Sequence, residues 1–168
     1  MIDLKATSAF MALRLPVTLD RCDMRALPPA RITALAPYPG QMGALRAHLG
    51  GFPDPGEVVI AGDTRLVWAG RDLAFAFGPG LPDGAEAYCA VTDQSDGWAG
   101  LALQGPGAEA HLARRLPFDL RKLSAPGAAR SLLGHVPVLI LRLQPQAFEI
   151  WVWRSMLRSA LHELGAGR

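Results

Sequence analysis

One hundred and sixty-eight residues suit one compact domain, since domains run to roughly 100–200 residues. Half of the chain is hydrophobic and 19% is charged, which excludes disorder. A net charge of +2 is too small for a dedicated electrostatic nucleic-acid binder, and 14 prolines with 18 glycines exclude a bundle of long helices.

Residues 1–30 show no sustained periodicity and are broken by Pro16, Pro28 and Pro29. They read as a leader packing on or extending the domain, with one short strand at Val17 to Leu19, and the domain itself spans 31–168. Arg31 to Ala36 is β-like, and Pro37, Pro39 and Gly40 form a turn. Met42, Leu45 and Leu49 share one face of a helix over 41–49, closed by Gly50-Gly51. Strands are expected at Glu57 to Ala61, Arg65 to Trp68 and Leu73 to Phe77, the last two as a hairpin across Ala69 to Asp72.

The second half repeats this order. Ala87 to Thr92 and Trp98 to Leu103 are strands flanking Ser95-Asp96-Gly97, and the Asp-Gly dipeptide signals a hairpin. Gly105-Pro106-Gly107 opens a helix to about Arg115, with Glu109 in its first turn and Arg114-Arg115 in its last, as the helix dipole favours. Strands follow at Ser131 to Leu133, Val136 to Leu143 and Ala147 to Trp153. A final helix over 154–164 has an apolar stripe of Met156, Leu157, Ala160, Leu161 and Leu164, capped by Gly165.

Leu35-Ala36-Pro37-Tyr38-Pro39-Gly40 and Ala102-Leu103-Gln104-Gly105-Pro106-Gly107 both read as strand, Pro-Gly turn and helix start. The fold class is therefore α+β: two β-α-β-β halves sharing an antiparallel sheet, with helices on one face. The N-terminus has no signal-peptide h-region, and Cys22 and Cys89 form no CxxC motif. The longest apolar run, Val136 to Leu141, is far short of the ~18–20 residues that cross a bilayer. The expectation is a cytoplasmic protein with no membrane or nucleic-acid partner.

No catalytic constellation emerges. Ser95 or Ser131, His111 or His135, and Asp93 or Asp96 supply the types for a nucleophile system, but neither serine lies in a G-x-S-x-G elbow. Asp93 and Asp96 astride a turn suit backbone capping. His48, His111, His135 and His162 lack metal-ligand spacing. Gly78 to Gly80 and Gly105 to Gly107 lack the P-loop lysine and the dinucleotide fingerprint, although the second offers helix N–H groups to an anion. The aromatic residues say more. Along 147–153, Phe148, Ile150 and Val152 alternate with Glu149, Trp151 and Trp153. The first set faces the helices, and the second needs a covering loop, the leader or a partner.

Five strings in this order carry a family resemblance. They are Arg31-Ile32-Thr33-Ala34-Leu35-Ala36-Pro37-Tyr38-Pro39-Gly40-Gln41, Thr92-Asp93-Gln94-Ser95-Asp96-Gly97-Trp98, Leu116-Pro117-Phe118-Asp119-Leu120-Arg121, Leu132-Leu133-Gly134-His135 and Phe148-Glu149-Ile150-Trp151-Val152-Trp153-Arg154-Ser155-Met156. From about residue 16 onward the chain resembles the γ subunit of heterotetrameric sarcosine oxidase. That family is similar in fold to the folate-binding domains of the glycine-cleavage T-protein.

The resemblance implies an accessory subunit of an enzyme that demethylates sarcosine to glycine. The methyl carbon leaves as formaldehyde or as methylene-tetrahydrofolate, and oxygen becomes hydrogen peroxide. FAD, FMN, NAD and tetrahydrofolate are expected on the partner α, β and δ subunits, chiefly the two larger ones. No catalytic, cofactor-binding or metal-ligating residue carries over to this chain. The subunit interface is expected at Trp98, Trp151, Trp153 and Arg154, with Trp151 and Trp153 standing where relatives are expected to have smaller apolar residues. Two other readings are a stand-alone tetrahydrofolate-binding, aminomethyltransferase-like protein and a homo-oligomeric binding module. A homodimer is also a possible state of the isolated chain.

Overall fold

Alternating apolar and polar residues build two antiparallel sheets in the computed structural model, which describes residues 7–11, 13–19 and 21–166. In chain order the elements are β1 (Val17–Leu19), β2 (Cys22–Ala26), β3 (Ile32–Pro37), α1 (Met42–Leu49), β4 (Val58–Ala61), β5 (Thr64–Gly70) and β6 (Leu73–Phe77). Then come β7 (Cys89–Asp93), β8 (Trp98–Gln104), α2 (Ala108–Ala113), β9 (Gly127–Leu133), β10 (Val136–Gln144), β11 (Ala147–Trp153) and α3 (Leu157–Glu163). One sheet has the order β1-β2-β8-β11-β10-β9, the other β4-β5-β6-β3-β7. The expected single shared sheet is thus corrected to two.

The duplication survives in a different form. After β3 the first half runs α1-β4-β5-β6, and after β8 the second runs α2-β9-β10-β11. Within each sheet these strands take the same relative order. Each half adds its preceding strand to the other half's sheet: β2 pairs with β8, and β7 pairs with β3. The expected hairpin at Asp96-Gly97 is therefore also corrected. Ser95–Gly97 forms a 3-10 turn that carries the chain from one sheet to the other. Gly97 is not among the glycines with positive φ, and a type I′ hairpin needs that conformation.

Three apolar layers result. Phe148, Ile150 and Val152 face α2 and α3 together with Leu112, Leu157, Ala160 and Leu161. Trp151, Leu139 and Leu141 pack against Val67, Phe75 and Phe77 between the sheets. Leu35, Leu66 and Ala74 lie under Leu45 and Leu49 of α1. Helices therefore cover the outer face of each sheet. The helical spacings over 41–49 and 154–164 match α1 and α3, the latter preceded by a 3-10 turn over Arg154–Met156. Gly50 and Gly165 adopt left-handed φ of 70° and 79° at the helix ends.

Part of the leader is structural. β1 falls where the sequence places it, and β2, which sequence reading leaves unassigned, extends the six-stranded sheet. Residues 1–6 lie outside the described residues. Among the described residues, no helix is long and apolar enough to cross a membrane.

Candidate functional site

The crossover after β7 builds one side of the site. The Asp93 carboxylate accepts the Ser95 N–H at 2.9 Å and the Ser95 hydroxyl at 2.6 Å. Ser95 Oγ in turn accepts the Ile32 N–H at 3.0 Å. These bonds hold the Asp93 carboxyl below the usual aspartate range, the serine hydroxyl contributing most. The Thr92 to Asp96 string thus works as a brace tying the crossover to β3. Ser95 has no histidine partner in these bonds, so the nucleophile reading gains nothing.

Between the sheets lies a buried polar network. Arg65 donates to both Glu149 oxygens at 3.1 and 3.2 Å, and the Trp151 indole N–H donates to the same carboxylate at 2.9 Å. The Arg65 guanidinium also covers the Phe77 ring at 5.6 Å, and that ring lies 5.0 Å from the Trp151 ring. Glu149 is thereby satisfied although only 8% exposed. The pair joins β5 of one sheet to β11 of the other.

A cleft of about 570 Å³ opens beside this network. Trp98, Gly100, Trp151, Ser95, Asp96 and Arg154 line it, with residues 7–10 and Pro28-Pro29 as its outer wall. The Arg154 guanidinium donates to the Thr7 carbonyl and so fastens that wall. Phe75 meets the Trp98 ring edge-on at 5.3 Å, and the Arg130 guanidinium lies 5.5 Å from its centre. The size is that of a small-molecule or side-chain pocket.

Three of the four expected interface residues, Trp98, Trp151 and Arg154, meet in this cleft. They are not equivalent. Trp151 is only 3% exposed and belongs to the inter-sheet core, so its cover is the second sheet rather than a partner. Trp153 is 47% exposed and projects beyond that cover. Sequence reading misses Arg65, Arg130 and Glu149 as a functional group, because Arg65 meets Glu149 across 84 residues of chain and Arg130 meets Trp98 across 32.

The remaining candidates disperse. His111 Nε2 hydrogen-bonds with the Leu164 carbonyl at 3.0 Å, and His48 packs on Tyr88 at 5.1 Å between ring centres. Among the described residues no three His, Cys, Asp or Glu side chains converge as a metal site. The Gly105 to Gly107 turn is engaged internally. The Gly105 N–H donates to Gln146 O at 3.0 Å, the Gly107 N–H to Arg21 O at 3.2 Å and the Ala108 N–H to Gly105 O at 3.0 Å. Those donors are not free for an anion.

The fold and cleft define a two-sheet α+β protein with an aromatic cleft at the crossover. A known structure is similar in fold. The chain is similar to a chain of the heterotetrameric sarcosine oxidase from Corynebacterium sp. U-96, solved in complex with pyrrole 2-carboxylate, at 29% identity and a TM-score of 0.75. The likeness covers 89% of this chain and 85% of that one. It agrees with the resemblance carried by the five sequence strings. No protein-family model matches the chain, and no curated protein matches it.

Proposed function

We propose that the chain is the γ-type accessory subunit of a heterotetrameric sarcosine oxidase. The observation that carries this reading is the nearly complete mutual coverage with one chain of that enzyme. A long catalytic subunit would be covered only in part, so the match is to a chain of about this size. The γ-type strings run along most of the chain, from β3 to the start of α3.

In this reading the flavin, nicotinamide and folate chemistry belongs to the α, β and δ partners. The assembly converts sarcosine to glycine, releases the methyl carbon as formaldehyde or methylene-tetrahydrofolate, and reduces oxygen to hydrogen peroxide. The chain supplies a rigid two-sheet body and no reacting group of its own. Two of its side chains with catalytic potential, Asp93 and Ser95, are spent on internal bonds.

Co-expression with and without the partner subunits tests this. The chain is expected to co-purify with them in a stoichiometric complex. Leaving it out is expected to lower the yield or specific sarcosine oxidation of the rest. Full specific activity without it, together with no co-purification, overturns the reading.

A further inference from the structure

The six-stranded sheet extends past its partner sheet at one end. On the face turned toward the second sheet, one row crosses β9, β10, β11 and β8. Leu132 stands opposite Pro137, and Trp153 opposite Trp98. Pro137 and Trp153 occupy the rung after Val138–Val152, and opposed Cβ atoms lie about 5 Å apart. The next row inward, with Leu139 and Trp151, is sealed between the sheets. This outer row is not: Leu132 is 48% and Trp153 47% exposed. Two of the large exposed apolar side chains among the described residues thus fall on one row, which makes a patch rather than scattered singletons.

A cation sits inside this patch. Arg130 is opposite Leu139 in register, and its guanidinium reaches back over the Trp98 ring at 5.5 Å. Four arginines among the described residues are half-buried, and the guanidinium groups of the other three all donate to oxygen acceptors, although Arg142 Nε is left without one. Arg65 holds Glu149. Arg115 holds the Glu163 and His111 carbonyls. Arg142 holds Glu109 and the carbonyls of Leu120, Leu123 and Pro145. Arg130 alone has an aromatic ring and no acceptor among the described residues. Burial without a counter-charge also pushes its pKa below the ordinary arginine value.

We propose that the Leu132–Pro137–Trp153 row docks a partner-subunit segment that lays an apolar side chain over Trp153 and sets a carboxylate against Arg130. This rests on the subunit reading above and adds the place and the chemistry of the contact. A second copy of the chain fits poorly. The row carries no carboxylate, so a two-fold contact through it would bring like charges together. A partner acid next to an apolar anchor supplies what Arg130 lacks and covers the exposed indole at the same time. Trp and Arg are also the side chains most often found to dominate interface energetics.

The test titrates the full-length chain against the assembled α, β and δ subunits. Leu132→Asp and Arg130→Gln are each expected to weaken association by at least about 30-fold. Arg130→Lys is expected to fall between wild type and Arg130→Gln, since an ammonium keeps the charge but loses the planar fork. Leu132 is nearly half exposed, so Leu132→Asp is expected to leave the melting temperature unchanged. If wild type assembles and both Leu132→Asp and Arg130→Gln bind as tightly, the docking face is overturned while the subunit reading stands. If wild type does not assemble, both fall. A wild-type homodimer in light scattering that Leu132→Asp abolishes also overturns the proposal, because the row then belongs to a second copy.

Discussion

Gly100 and Trp151 stand opposite one another on β8 and β11, and the indole lies across the glycine. A Cβ on Gly100 would fall 2.7 Å from Trp151 Cη2, with two more ring carbons within 2.9 Å. The glycine is there for close approach, because the indole is pressed from its other side by Phe77 and tied at its N–H to Glu149. Gly100→Ala is therefore expected to destabilise the fold by about 1–3 kcal/mol, the usual cost of overpacking a filled core. Urea unfolding followed by tryptophan fluorescence measures it. An unchanged midpoint would mean that the ring moves aside freely.

The Arg65–Glu149 pair makes a different kind of prediction. Its partners are 84 residues apart in the chain and hold the two sheets together. Arg65→Met leaves a nearly buried carboxylate with only the indole N–H as donor, at an expected cost of about 3 kcal/mol. Adding Glu149→Leu removes the stranded charge. The double variant is expected to be more stable than Arg65→Met alone, although Trp151 then loses an acceptor worth about 1 kcal/mol. Equal stabilities of the single and double variants would contradict the buried geometry.

These two sites show which parts of the molecule local sequence reveals. Alternation of Phe148, Ile150 and Val152 with Glu149, Trp151 and Trp153 separates two faces correctly, because period two is a property of one strand. That pattern says a second cover exists over Trp151 without saying what it is. Helix, loop and sheet all bury an indole, so the two-sheet arrangement stays hidden. β2 is short, and Asp23 and Arg25 interrupt its apolar residues Cys22 and Met24, leaving a signal too brief to separate from a loop. The Asp96-Gly97 signal fails for a physical reason as well. The same dipeptide suits a 3-10 turn, and Asp93 braces that turn from outside the window in which a hairpin is judged. Of the cleft, Trp98, Trp151 and Arg154 are legible as aromatic and basic residues in unusual places. The Arg130–Trp98 contact is not, because it depends on three strand pairings.

Cysteine chemistry gives a direct check on burial. Cys22 and Cys89 are at most 2% exposed and sit in different sheets. The Cys22 thiol donates to the Leu19 carbonyl at 2.8 Å and the Cys89 thiol to the Ala85 carbonyl at 3.4 Å. Burial raises the Cys89 pKa above its ordinary value of 9.0, with nearby Glu86 adding to the effect. Since the thiolate is the reactive form, native protein at about pH 8 is expected to react with Ellman's reagent only as fast as it opens. Denatured protein is expected to release both equivalents at once. Rapid labelling of Cys89 in native protein would show that the layer under α1 is loosely held.

Acid titration probes the brace at the crossover. The Ser95 hydroxyl and N–H hold the Asp93 pKa below its ordinary 3.8, so the folded state binds that proton less readily than the unfolded chain does. The stabilisation is fully present above the unfolded value and is lost as pH falls through the lower, folded value. Asp119 behaves alike through Arg121. Asp93→Asn keeps one acceptor oxygen but removes the charge, and it is expected to unfold at lower urea concentration than wild type at neutral pH. That gap is expected to stay constant down to about pH 5 and then close toward about pH 2, as the wild-type carboxyl becomes protonated. Stability curves at a series of pH values measure it. A gap that persists unchanged at the acid end would mean that the brace depends on the shape of the side chain, with its charge irrelevant.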